Sequence, residues 1–176
     1  RLLRSVGVKF ETGVPAEASL RQRVLAGLLG DESLCQAAWV EFATDNLDPV
    51  DFHDEHLDLL QYVASIESLT LVGRRFSDAN LSHVGRLRNL KSLVIANCPE
   101  VTDAGLAEVL PAAIELTHLD LRHTAVTDAG VAQLESLPNL VSLELAGTQT
   151  TGRCLEELAR ISTLNFLELD SVTDAD

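Results

Sequence analysis

Aromatic residues are scarce, 4% of 176 residues, and methionine is absent. A core built on stacked rings is therefore excluded. What is buried must be Leu, Val, Ile and Ala, which suits repeated thin layers. Cys35, Cys98 and Cys154 are odd in number, far apart and without a CxxC pair. That excludes a dense disulfide framework and a zinc knuckle, and leans toward a reducing, cytoplasmic setting. Basic residues are outnumbered, 13 against 27 acidic, for a net charge of −14. Nucleic-acid affinity comes largely from Lys and Arg displacing counterions, so this chain repels phosphate backbones and attracts basic partners. The longest apolar run, residues 24–29, is far short of the roughly 20 residues a membrane helix needs. No signal peptide is visible, and since the first residue is Arg1 a membrane anchor upstream of it stays open.

What is present is a folding composition, 46% hydrophobic and 23% charged, at a length that suits one domain. Its organising feature is a repeat. Ile66-x-x-Leu69-x-Leu71 has the spacing of Leu90-x-x-Leu93-x-Ile95. The same spacing returns at Leu116, Leu119 and Leu121, at Leu140, Leu143 and Leu145, and at Leu164, Leu167 and Leu169. The first positions lie 24, 26, 24 and 24 residues apart. A second marker follows in the same frame: Ser77-Asp78-Ala79-Asn80-Leu81, Thr102-Asp103-Ala104-Gly105-Leu106 and Thr127-Asp128-Ala129-Gly130-Val131. Behind it, apolar residues fall at helical spacing, as in Leu81, Val84 and Leu87 or Val131, Leu134 and Leu137, with Leu155, Leu158 and Ile161 continuing the series. The Ser/Thr-Asp pair stands where a helix N-cap belongs, with a hydroxyl or carboxylate to accept the first free N–H groups.

Each unit thus predicts a short strand, a tight turn and a helix of two to three turns. Neither element buries its apolar face alone, so neighbours must stack. Strands sit about 4.8 Å apart and helices about 10 Å, so stacking curves the array with its strands on the inner face. The pattern resembles the leucine-rich-repeat family. The unit Leu90-Lys-Ser-Leu-Val-Ile-Ala-Asn-Cys98 is similar to the cysteine-containing subtype, and the Thr-Asp-Ala-Gly units to bacterial relatives of it. The resemblance implies an α/β leucine-rich-repeat solenoid, a right-handed horseshoe, and a protein-binding scaffold with no cofactor. Where the family carries Asn or Cys, this chain has Arg74, Cys98, Thr124 and Thr148, a mixed ladder.

The solenoid is expected over residues 37–176, about six repeats, the first divergent and the last incomplete. Asp54-Glu55-His56-Leu57 shares the frame of Asp78 to Leu81, and Ala37, Val40 and Phe42 take the strand positions of the first unit. The last unit stops where another helix should start, so continued chain or a covering partner is expected there. Residues 1–36 do not follow the repeat and read as an N-terminal cap. Within them residues 6–10 alternate like a strand, and residues 19–29 are helical, closed by Gly30. The Leu29-Gly30-Asp31-Glu32 ending resembles the lead-in to such bacterial repeats.

Chemistry-bearing residues are few. His53-Asp54-Glu55-His56 could suggest metal, yet the repeat register already explains Asp54 as a cap, and no metal site is expected. His83 falls on the helical back of its unit, where it is solvated. His118, Asp120 and His123 fall near one strand, but a hydrolytic set needs a nucleophile and an oxyanion hole, and neither is in view. Cys154 opens a helix, where a thiolate is conceivable, though a small residue filling a glycine slot explains it as well. There is no phosphate loop, HExxH or nucleophile elbow, and the expectation is a non-enzyme.

Strand side chains alternate, so residues between the core leucines face the concave groove. One column runs Glu41, Thr70, Val94, Asp120, Glu144, Glu168. A second runs Trp39, Ser68, Ser92, His118, Ser142, Phe166, and a third Ala43, Val72, Ala96, Arg122, Ala146, Asp170. Carboxylates align in three successive repeats, which costs roughly 0.2–1 kcal/mol per facing pair unless something relieves it. Either they keep the groove soluble, or they form an acidic groove, with Trp39 and Phe166 as anchors, for a basic protein segment. The other function class weighed is the substrate-recognition arm of a ubiquitin-ligase adaptor. Leu34-Cys35-Gln36-Ala37-Ala38-Trp39 resembles the end of an F-box, although the usual Leu-Pro opening is missing.

Overall fold

The computed structural model describes residues 66–170, the strand backbones at 9–10 and 39–43, and Leu57 and Leu60. Seven strands form one sheet in chain order: β1 (Lys9–Phe10), β2 (Trp39–Ala43), β3 (Ser68–Val72), β4 (Ser92–Ala96), β5 (His118–Asp120), β6 (Ser142–Glu144) and β7 (Phe166–Glu168). Strands β2 to β7 are mutually parallel, and β1 runs antiparallel along the outer edge of β2. Between successive strands lie the helices α1 (Asp78–Val84), α2 (Asp103–Val109), α3 (Asp128–Ala132, extended by a 3₁₀ turn at Gln133–Ser136) and α4 (Cys154–Leu158). The architecture is an α/β solenoid of strand-turn-helix units. Of the expected strand at 6–10, Lys9–Phe10 is the described part. The expected 19–29 helix and the remainder of the 1–36 segment lie outside the described residues.

The leucine spacing does what its period requires. Leu69 and Leu71, Leu93 and Ile95, Leu119 and Leu121, and Leu143 and Leu145 point to one side of the sheet and are buried. They meet Leu81 and Val84, Leu106 and Val109, and Val131 and Leu134 from the helices in one continuous core. The helices span five to seven residues, so α1 and α2 make about two turns, as expected, and α3 and α4 fewer. Close packing ends the first of them: a Cβ on Gly85, the C-cap of α1, would meet the backbone of Glu108 in the next unit. The apolar series weakens in the last unit. Leu155, in the slot of the buried Leu106, is 43% exposed, and Leu164, Leu167 and Leu169 are only partly buried. Among the described residues nothing stacks beyond them.

The cap assignment needs correcting. The hydroxyl caps and the carboxylate does something else. Thr102 and Thr127 accept the N–H groups of Ala104 and Ala129 at 3.2 Å. Asp78 instead reaches the next unit, where it takes the N–H and the hydroxyl of Thr102, both at 2.7 Å. Asp103 does the same to Thr127 at 2.8 and 2.6 Å, and Asp128 to Thr151 at 2.7 and 2.6 Å. These charge-assisted pairs tie the first turns of α1, α2 and α3 each to the threonine at the matching position of the next unit. They also explain the glycine of the marker. A Cβ on Gly105 would fall 2.8 Å from Leu81 Cδ1 and run into the Asp78 carboxylate. In Thr-Asp-Ala-Gly the Thr and Asp thus bond to, and the Gly makes room for, a neighbour one repeat away.

The mixed Asn/Cys ladder works by substitution. Thr124 and Thr148 hydroxyls donate to the carbonyls of Leu121 and Leu145 at 2.7 Å. Cys98 Sγ lies 3.2 Å from the Ala96 carbonyl, fully buried. Arg74 is exposed, and Phe76, in register with Val101 and Val126, is buried.

Candidate functional site

The register places the predicted columns side by side. Glu41, Thr70 and Val94 are successive Cα partners, followed by Asp120, Glu144 and Glu168. Trp39, Ser68, Ser92, His118, Ser142 and Phe166 form the neighbouring row in the same way. Phe166 is 51% exposed and His118 is exposed, its Nδ1 2.7 Å from the Thr117 hydroxyl. Thr70, Val94 and Glu144 are half-buried, and Glu168 is exposed. One half of the face, from β3 to β4, is neutral. The other, from β5 to β7, carries the charge.

Within the charged half the aligned carboxylates are not left to repel one another. Arg122, two residues after Asp120 and so on the same side of the chain, folds back over it. Its Nε lies 3.0 Å from both Asp120 oxygens and its Nη2 2.6 Å from Oδ2, while its own N–H donates to Oδ1 at 2.9 Å. The same Nε is 3.0 Å from Glu144 Oε2. Asp120 is 5% exposed and saturated, so it is a structural anion. The groups that stay open are Glu168 and the outer side of Glu144. Asp170 is exposed, with one carboxylate oxygen accepting the Gly147 N–H. The sequence carried the signal for this pairing, a cation at i+2 on a strand, but its column was read separately.

The electrostatics follow. The hydrogen bond to Asp120, with Glu144 and Glu168 nearby, raises the Arg122 pKa above its ordinary value. Burial raises the Glu144 carboxyl, Asp120 and Glu168 push the same way, and Arg122 opposes them. A carboxyl raised in the fold holds its proton more tightly there than in the unfolded chain. Its ionised form therefore costs stability, a cost that appears as pH rises from the ordinary 4.5 through the raised value. Glu144→Gln is expected to raise Tm at pH 7, with the gain vanishing below about pH 4. A lower Tm at pH 7 would show that the Arg122 contact outweighs the repulsion.

The remaining candidates separate. His123 is not on the strand: it lies in the following turn at φ 56°, its ring packed over Gly147. Cys154 is buried in the glycine slot, and burial together with Asp128 pushes its thiol up, against a thiolate. His53 to His56, and Leu34 to Trp39 apart from the Trp39 backbone in β2, lie outside the described residues. Among the described residues no group of three His, Cys, Asp or Glu is placed to hold a metal ion, and no helix is long and apolar enough to cross a membrane.

Comparison with known proteins fits this architecture. Residues 86–110 and 115–134 match the family model for the leucine-rich repeat. These are leucine-rich repeats. Internalin C2 of Listeria monocytogenes superposes with a TM-score of 0.55 at 17% identity, over 99% of this chain and 79% of the internalin chain. Actin-binding site 2 of leiomodin-1 gives a TM-score of 0.46 at 15% identity, over 89% and 82% of the two chains. A second Listeria monocytogenes internalin gives 0.38 at 15% identity, over 75% and 49%. At 17% identity the likeness to internalin C2 is one of fold alone.

Proposed function

We propose that this leucine-rich-repeat chain is a non-catalytic protein-binding module whose concave strand face takes a basic segment of a partner protein. The observation that carries the reading is the asymmetry of charge along the repeats. Residues 66–91 hold five Lys or Arg against two carboxylates, and residues 92–170 hold three against twelve. On the concave face of that acidic stretch, Glu144 and Glu168 are paired across β6 and β7, two residues along the strand from the exposed Phe166. A lysine or arginine side chain suits both, through its charge and through its apolar stem. His118, Arg122 and Asp170 border this place. Thr70, Val94 and, on β2, Trp39 and Glu41 would extend the contact toward the other end of the sheet. On this reading residues 37–176 form the repeat domain and residues 1–36 cap it.

The test is capture from the source organism's lysate at low and moderate salt, with the chain and its Glu144→Lys/Glu168→Lys variant as baits. Asp120 is left intact because its removal would strand Arg122 and confuse folding with binding. A basic protein held by the parent and reduced at least about tenfold by the variant is the expected outcome, with a steep salt dependence. Equal recovery by two equally folded baits would refute the concave site.

A further inference from the structure

The concave face is three columns wide but crosses five strands from β3 to β7. A segment longer than a few extended residues therefore has to run across the strands. Along that path the charge changes in steps. β3 and β4 carry no charged residue at any concave position, and Thr70 and Val94 pair at their centre, half-buried. Next come Asp120 and Arg122, which pair with each other, and the part that reaches solvent is the cation. The Arg122 side chain is 42% exposed and that of Asp120 7%. β6 and β7 then hold Glu144 and Glu168 as Cα partners. Glu144 meets Arg122 through Oε2 at 3.0 Å, and Glu168 is exposed. The order across the sheet is neutral, cationic, anionic.

Given that this face takes a basic segment, as proposed above, we infer that the segment lies across the strands in one fixed sense. Its neutral residues rest on β3 and β4, its lysine or arginine rests on β6 and β7, and no cation stands between. Arg122 sets that register. It already occupies both Asp120 oxygens, so a second cation over β5 meets the like charge of Arg122 with no unpaired Asp120 oxygen to offset it. One or two strands further on, Glu144 and Glu168 attract the same side chain. Discrimination thus comes from a repulsive element as well as an attractive one. Strands lie about 4.8 Å apart, so Val94 is about 10–14 Å from the two glutamates, the length of about three to four extended residues. The partner motif is a small or β-branched neutral residue followed or preceded, at that distance, by a basic one, with uncharged residues between.

Short synthetic peptides of one composition, Val, Thr, Ser and Arg, test this on the whole chain by NMR titration at low salt. The arginines are placed at one end, at the other end, or in the middle. One of the end-placed peptides is expected to bind at least about fivefold more tightly than the middle-placed one. A spin label on its neutral end is expected to broaden amides of β4 and to spare those of β7. Asp120→Asn/Arg122→Gln removes the barrier as a neutral pair and is expected to bring the middle-placed peptide to within about twofold of the other. Should that variant not fold, the spin label decides alone. Equal binding of all three peptides, lost in Glu144→Lys/Glu168→Lys, would overturn the inference and leave the basic-segment reading standing. Binding untouched by Glu144→Lys/Glu168→Lys would overturn both.

Discussion

Replacing Asp103 with alanine is expected to cost about 3 kcal/mol, which for a chain of this size lowers Tm by about 6–12 °C. The carboxylate accepts the Thr127 N–H at 2.8 Å and the Thr127 hydroxyl at 2.6 Å. Hydrogen bonds to a charged acceptor contribute about 1.5–3 kcal/mol, more than neutral ones. The two bonds end on the two oxygens of one carboxylate, so they do not simply add. The loss spreads further because the Thr127 hydroxyl donates to Asp103 while accepting from Ala129 at 3.2 Å. Without Asp103 that hydroxyl is free to turn, and the cap of α3, worth about 1 kcal/mol, weakens with it. Asp103 also lies in the first turn of α2, where its charge suits the helix dipole. Asp103→Asn should fall between, since one oxygen still faces the Thr127 N–H. Thermal and urea unfolding of the three proteins would decide. A fall of less than about 2 °C for the alanine variant would show that water replaces the interlock at little cost.

The contrast with surface carboxylates explains the size of this effect. Glu157 and Glu135 also meet a cation, Arg160, at 2.6 and 3.9 Å, but all three side chains reach solvent. Exposed pairs of that kind contribute about 0–1 kcal/mol. Asp103 differs in bonding a backbone N–H, which has no other partner in its own helix and loses water when the units stack.

The fold was legible because its signal repeats. A single Leu-x-x-Leu-x-Leu run fits a strand or a helix equally well, but five in register with the Thr-Asp marker leave one arrangement. Local bonds between repeats were less visible. Asp78, Asp103 and Asp128 sit beside helix caps, and a carboxylate there normally serves its own helix. That they serve the next one depends on how closely the helices approach, which sequence does not state. Gly105 and Gly130 were the clue, since glycine inside a short helix costs about 1 kcal/mol relative to alanine unless something needs the space. The concave site was legible as columns, because strand alternation is strict. It was not legible as an electrostatic unit. Asp120 and Arg122 fell in different columns, and only the geometry showed one cation spanning Asp120 and Glu144.

Gly130→Ala offers the sharper test of that geometry, because on helix propensity alone it should stabilise α3. The expected result is instead a loss of about 2–3 kcal/mol. A Cβ at this position would lie 2.9 Å from Asp103 Cγ and from Val126 Cγ1, and closer still to a carboxylate oxygen. Real Cβ atoms do not approach so near, and Val126 is buried, so the carboxylate must swing away from Thr127. The cost of the methyl group is then largely the cost of the broken interlock. This makes a prediction about coupling. In Asp103→Ala the obstructing oxygens are gone, and adding Gly130→Ala should cost little more, leaving a coupling of about 1.5 kcal/mol or above between the two positions. If the two losses add in the double variant, the glycine answers to Val126 and backbone packing, and the Thr-Asp-Ala-Gly marker is two separate constraints. If they fail to add, Gly130 is there to leave room for Asp103 of the unit before.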